Sequence, residues 1–317
     1  MLALGHVLTI CGQSGELIAE VQKKITTVSA MRVRTEPAVS APEMMRLKLG
    51  TIVDVLGSTP TKETIGGKTD YWYQVILPNN KVGWLFGGLL LDYNADQREQ
   101  LLRRIIETRL KAENTDFNDR QEIYTLAARS ITAAKNVNTR AEFELLKLLA
   151  LANTAAAFPR DQQNKSPYRE WLKTHGALVI PNEFAGGYNL RSDLLWRLEA
   201  KYHRLPIADR IAWAAAENPQ PHDCEGDEVC HLFVFEGAIK YLNMHPKGVH
   251  AAEAVKNLNE LLTDEVIKRA NAEGGDQYAI EERTNLRKLL TSLRLAVAKT
   301  SAVEKTELLK KLERINR

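Results

Sequence analysis

The hydrophobic period of this chain changes once, near Asn94, from about two residues to about 3.6. A period of two belongs to half-buried strands and a period of 3.6 to amphipathic helices, so no single fold class accommodates both halves. The 317 residues are enough for about two domains. The predicted fold class is therefore multi-domain: a small all-β barrel at 26–93, followed by a larger all-α domain at 95–317. The charge balance supports no specialised tail. Residues 1–94 carry 9 Lys and Arg against 8 Asp and Glu, and the remainder carries 34 against 32. So even a balance gives no electrostatic reason to expect nucleic acid. No run approaches the length of a membrane span.

In the first half, Met31 and Val33 alternate with Arg32 and Arg34, the pattern of a half-buried strand. Pro37 and Pro42 mark a loop. Thr51 to Gly57 is a β-branched run closed by glycine, and residues 58–70 form a long polar hairpin loop. Tyr71 to Leu77 is an aromatic strand, and Val82 to Leu85 is the last. About five short strands in so few residues suggest a small closed barrel. Trp72 and Trp84 are expected in its core, because a small barrel needs large side chains to fill it. Alternation puts Tyr71 and Tyr73 on the other face, as a candidate ligand-contact surface.

These elements carry a resemblance. Val33-Arg34-Thr35-Glu36-Pro37, Leu47-Lys48-Leu49-Gly50, Val53-Asp54-Val55, Trp72-Tyr73-Gln74-Val75 and Gly83-Trp84-Leu85 follow one another in the order of bacterial Src-homology-3-like domains. The resemblance covers about a fifth of the chain. It implies a barrel common in bacterial envelope proteins, some of which bind cell-wall peptides or glycans.

From Ala95 onward the apolar residues predict helices near 95–113 and 118–136, and a third opening at Thr139 and running through Leu151. Asn118 with Gln121 and Thr139 with Glu142 read as capping boxes for the second and third. Residues 191–203 and 206–218 give two more, with Trp196 and Trp213 expected in the core. Further helices are expected near 231–245, 249–273, 277–299 and 302–316, the last capped by Ser301 with Glu304. The stretch Glu236 to Ala254 resembles a tetratricopeptide-like helical hairpin near 231–263. There Pro246 stops one helix, Gly248 supplies a free φ, and Ala251, Ala252 and Ala254 permit close packing. No strict repeat period accompanies it.

Chemistry is concentrated in His222-Asp223-Cys224-Glu225-Gly226-Asp227-Glu228-Val229-Cys230-His231. The favoured reading is a disulfide between Cys224 and Cys230, which suits an oxidising compartment. Free structural thiols are a second reading. A zinc site of His222, Cys224, Cys230 and His231 is a third, although the spacing matches no common zinc pattern. In the fourth, Asp223-Cys224-Glu225-Gly226 resembles the D-C-x-G nucleophile element of cell-wall thiol peptidases, which need a strand-borne histidine downstream. Here the downstream histidines fall in or beside helices. No EF-hand loop, G-x-S-x-G, H-E-x-x-H or phosphate-binding glycine motif is present.

Residues 1–25 form a mildly apolar segment without the basic start of a signal peptide, since no Lys or Arg precedes Lys23. It reads as the remnant of an export signal, and Leu8-Thr9-Ile10-Cys11 loosely resembles a lipobox. The expected function is that of a non-enzymatic envelope protein, exported and periplasmic or envelope-associated. Its barrel would contact cell-wall peptide, glycan or a protein partner, and its helical domain would mediate protein interaction. No cofactor, nucleic acid or membrane span is expected. The alternatives are a thiol hydrolase using Cys224, the small zinc site, and a cytoplasmic location.

Overall fold

The computed structural model describes residues 21–315 apart from 79, 114, 160, 184, 185 and 221. Of the segment 1–25 expected as an export-signal remnant, residues 1–20, with the lipobox-like Leu8 to Cys11, lie outside the described residues. The chain divides into two compact units, one mainly of residues up to Ala95 and one mainly from Asp96 onward.

Among the described residues the first unit holds nine strands: β1 (Lys23–Thr26), β2 (Met31–Arg34), β3 (Glu43–Leu47), β4 (Ile52–Ser58), β5 (Glu63–Ile65), β6 (Lys68–Asp70), β7 (Trp72–Ile76), β8 (Val82–Phe86) and β9 (Leu90–Asp92). Seven of them form one antiparallel sheet in the order β3-β2-β8-β7-β4-β1-β9. A sheet must bury its apolar side against another layer or by closing on itself. Ile25, Met31, Val33, Val53, Trp72, Val75, Leu85 and Phe86 are buried in this unit, each 5% exposed or less.

Three expectations need correction here. The sheet begins at Lys23 rather than 26, because Lys23 and Lys24 pair with Asp54 and Val53 of β4. Residues 58–70 are not a plain loop. Their Thr-rich run folds into the β5–β6 hairpin around Gly66-Gly67, where the hydroxyls of Thr64 and Thr69 lie 2.7 Å apart. Trp84 is only half-buried, although Gly83, Leu85 and Phe86 around it on β8 are buried.

The second unit contains α1 (Arg98–Leu110), α2 (Phe117–Thr132), α3 (Val137–Ala156), α4 (Tyr168–His175), the short strands β10 (Val179–Pro181) and β11 (Tyr188–Leu190), α5 (Ser192–Tyr202), α6 (Ala208–Ala216), α7 (Glu228–Val234), α8 (Glu236–Met244), α9 (Ala251–Leu261), α10 (Asp264–Asn271), α11 (Gln277–Ala298) and α12 (Lys305–Glu313). One core gathers around the Leu-rich α3, with Leu145, Leu151, Trp171, Leu195 and Ile211. The other joins α6 to α12 through Trp213, Tyr241, Leu258, Leu290 and Leu308.

Helix starts differ from the capping-box reading. Asp116 and Asn136 are the N-caps of α2 and α3, accepting from the Asp119 and Thr139 amides at 2.8 and 2.9 Å. Both have the extended backbone that a cap requires, so the helices start before Asn118 and Thr139. The start of α12 shows no side-chain cap at Glu304. The stretch expected as one helix at 231–245 breaks at Phe235, and 249–273 breaks at Leu262, where Thr263 caps α10.

The turn between α8 and α9 also works differently. Gly248 is not needed for a left-handed φ. A Cβ there would sit 1.9 Å from Asp209 Oδ1 and 2.3 Å from Tyr241 Oη. Ala251 and Ala254 are buried as expected, but Ala252 is exposed. No helix among the described residues is long and apolar enough to cross a membrane.

Candidate functional site

On the sheet unit, Trp72 is 3% exposed and packs against Phe86, with its Nε1 donating to Glu63 Oε2 at 2.9 Å. Tyr71 and Tyr73 flank it, half-buried, with ring centroids 6.4 Å apart and edge to face. Each ring has a lysine over it. Lys24 Nζ is 4.2 Å from the Tyr73 centroid and Lys62 Nζ is 5.1 Å from that of Tyr71. Lys24 is itself buried and donates to Asp92 Oδ1 at 2.8 Å, which holds the Asp92 carboxyl below the usual aspartate range. The lysines fix the aromatic rings by cation–π attraction and leave an amphipathic, partly exposed surface.

In the helical unit, Cys224 and Cys230 are joined by a disulfide, with Cα atoms 5.4 Å apart. Between them the chain turns sharply. Glu225 and Gly226 both have positive φ, and the Asp227 amide donates to the Cys224 carbonyl at 2.6 Å. Asp227 then caps α7, accepting from the Val229 and Cys230 amides at 2.9 and 3.2 Å. Arg269 Nη1 donates to the same carboxylate at 2.8 Å and reaches Glu282 through Nη2 at 2.5 Å. The Arg269 hydrogen bond is the main reason that the Asp227 carboxyl lies below the usual aspartate range.

The fold brings His222, Cys224 and Cys230 together, their donor atoms all within 4.8 Å of one another. His231 is exposed and is not part of this group. The zinc reading therefore loses its fourth ligand, and the paired sulfurs are not the thiolates that zinc binds. His222 Nδ1 lies 3.4 Å from Cys230 Sγ. The imidazole thus faces the sulfur that the peptidase reading did not use. Cys224 is buried, 8% exposed, and its sulfur is bonded. This arrangement holds no nucleophilic thiolate at Cys224.

The disulfide loop forms one wall of a cleft of about 1640 Å3. α5, the end of α6, α7, α8 and α11 supply the rest. Trp196, expected in the core, is half-buried: it packs against both cores of the helical unit and also lines this cleft, with Lys240 Nζ 4.2 Å above its ring. Sequence reasoning missed the cleft altogether. Its only advance signal was the acidic run of the cysteine loop.

Comparison with known families matches residues 29–90 to the model of the bacterial SH3 domain. No curated protein and no solved structure matches the chain.

Proposed function

We propose that this chain, whose residues 29–90 form a bacterial SH3 domain, is a non-enzymatic binding and scaffold protein of the cell envelope. Its sheet unit would contact cell-wall peptide or glycan, and its helical unit would engage a protein. The observation that carries the first half is the pair Tyr71 and Tyr73. They flank the buried Trp72, each half-buried under a lysine. Such rings offer flat apolar area with a polar tip, the usual anchor of a binding surface. The Cys224–Cys230 disulfide supports a place outside the cytoplasm, where such bonds persist.

The test is cosedimentation of the full chain with purified peptidoglycan. Wild type should be retained, and Tyr71→Ala/Tyr73→Ala should weaken retention by an amount typical of interface hot spots, about 2 kcal/mol. Retention untouched by the double substitution would remove the tyrosines from the site. Wild type left in the supernatant would remove the cell-wall reading.

A further inference from the structure

We propose that the cleft of the helical unit binds a cationic peptide segment of a partner protein, one that alternates Lys or Arg with apolar side chains. This inference rests on reading the helical unit as a protein-interaction module, and it names the surface and the chemistry of the partner.

The first argument is size. Pockets for small molecules run to roughly 300–1,000 Å3. This cleft, at about 1640 Å3, is larger and suits a run of peptide. The second is its floor. Trp196, Phe233, Ile239, Leu289 and the methyl groups of Ala215 and Ala216 line it, so it has apolar area to offer. At the rim, Tyr278 is 77% exposed and Met244 is 40% exposed. Exposed apolar residues grouped around a polar-edged cleft mark interaction surfaces.

The third argument is charge. Seven carboxylates line the cleft against two cationic side chains, Arg197 and Lys240, in a chain whose net charge is +3. Several of these carboxylates are already committed. Asp193 pairs with Arg191 and Arg197, and Asp227 and Glu282 share Arg269. Asp223 accepts only from the Glu225 amide. Glu225, Glu236 and Glu281 have neither an ion pair nor a hydrogen bond from their side chains. Glu225 stands on the disulfide loop and Glu281 on α11, so uncompensated negative charge faces the cleft from two different elements. Clefts lined by one sign of charge concentrate the opposite charge. Lys or Arg side chains would answer these carboxylates, and apolar side chains between them would reach the floor. The disulfide holds the loop that bears Asp223 and Glu225 against the rest of the wall.

The test uses the full chain and a fluorescently labelled dodecapeptide of alternating lysine and leucine. Two companion peptides replace lysine by glutamate or leucine by serine. Binding is read by anisotropy. The lysine–leucine peptide should bind, and both companions should bind at least about tenfold more weakly. Glu225→Lys/Glu281→Lys should weaken the lysine–leucine peptide by about tenfold or more. Glu260→Lys/Glu313→Lys changes net charge equally at exposed positions outside the cleft and should leave binding within about twofold of wild type.

Equal loss in both double variants would overturn the proposal, since attraction would then follow net charge alone. Tight binding of the glutamate peptide, or no binding of the lysine–leucine peptide, would overturn it as well. Peptidoglycan retention reads the sheet unit separately. Loss of retention with peptide binding intact would fault only the wall reading, and the converse only the cleft.

Discussion

At the residue scale, the clearest dependency lies where α6 meets the turn before α9. Tyr241 is fully buried, and its hydroxyl donates to Asp209 Oδ1 at 2.7 Å while accepting from the His250 amide at 3.1 Å. The second Asp209 oxygen accepts from the Val249 amide at 3.1 Å. Burial, and then the bond to Asp209, push the phenol well above its ordinary range, so it remains a neutral donor at physiological pH. Tyr241→Phe strands the carboxylate oxygen and the amide together, and should cost about 1–3 kcal/mol in urea unfolding. Gly248→Ala should cost about 1–3 kcal/mol by the same measurement, because its Cβ would displace the Asp209 carboxylate from both donors. An unchanged midpoint in both variants would remove the cluster from the stability of this turn. Glycine was legible here as a turn residue, but its reason was not. Lack of room, set by a side chain 39 residues earlier, takes the place of a free φ. Trp84 carries the same lesson, because size alone marked it as core while its surroundings leave it half-buried.

At the element scale, α7 depends on Asp227, which caps it and ties it through Arg269 to Glu282 on α11. The folded carboxyl titrates below the value of about 3.9 for a free aspartate. Its contribution is therefore fully present above that value and is lost as pH falls through the lower folded one. Asn is nearly as good a cap but carries no charge. Asp227→Asn should lower stability at pH 7 by no more than about 1 kcal/mol, because the side chain is 39% exposed and screened by water. Its advantage should vanish in acid, so the wild-type and variant curves of stability against pH converge below about pH 4. Parallel curves down to pH 2 would show that the pair contributes nothing. Helix identity was legible in the apolar period, whereas helix starts were not. Asp116 and Asn136 cap α2 and α3, yet the Ser/Thr/Asn-x-x-Glu/Gln signal also occurs within a first turn, at Asn118 and Thr139. Only backbone conformation separates the two. The long helix expected at 249–273 failed for a related reason, since Thr263 caps the Val266 amide and starts a new helix in mid-run.

At the scale of the whole molecule, the change of period near Asn94 gave both units, because each periodicity reports burial along a single element. The cleft was not legible in the same way. It draws on residues from Ser192 to Ser292, and nothing local marks which faces of five helices will meet. The cysteine pair lies between these cases, being close in sequence and joined at a separation of six residues. Its meaning is compartmental. A chain matured in a reducing cytosol keeps its thiols, and one matured outside it does not. Denatured without reductant, protein matured in an oxidising compartment should therefore gain two titratable thiols per chain on reduction, from Cys224 and Cys230. Closing so short a loop is worth about 2 kcal/mol in the chain-entropy model, so reductant should also lower the free energy of unfolding by that amount. The two readings constrain one another. A gain of two thiols with the stability shift places the bond in the folded protein and leaves neither a nucleophile nor a zinc ligand at Cys224. No gain would return both sulfurs to the thiol state, reopen the peptidase and zinc readings together, and release the wall of the cleft that carries Asp223 and Glu225.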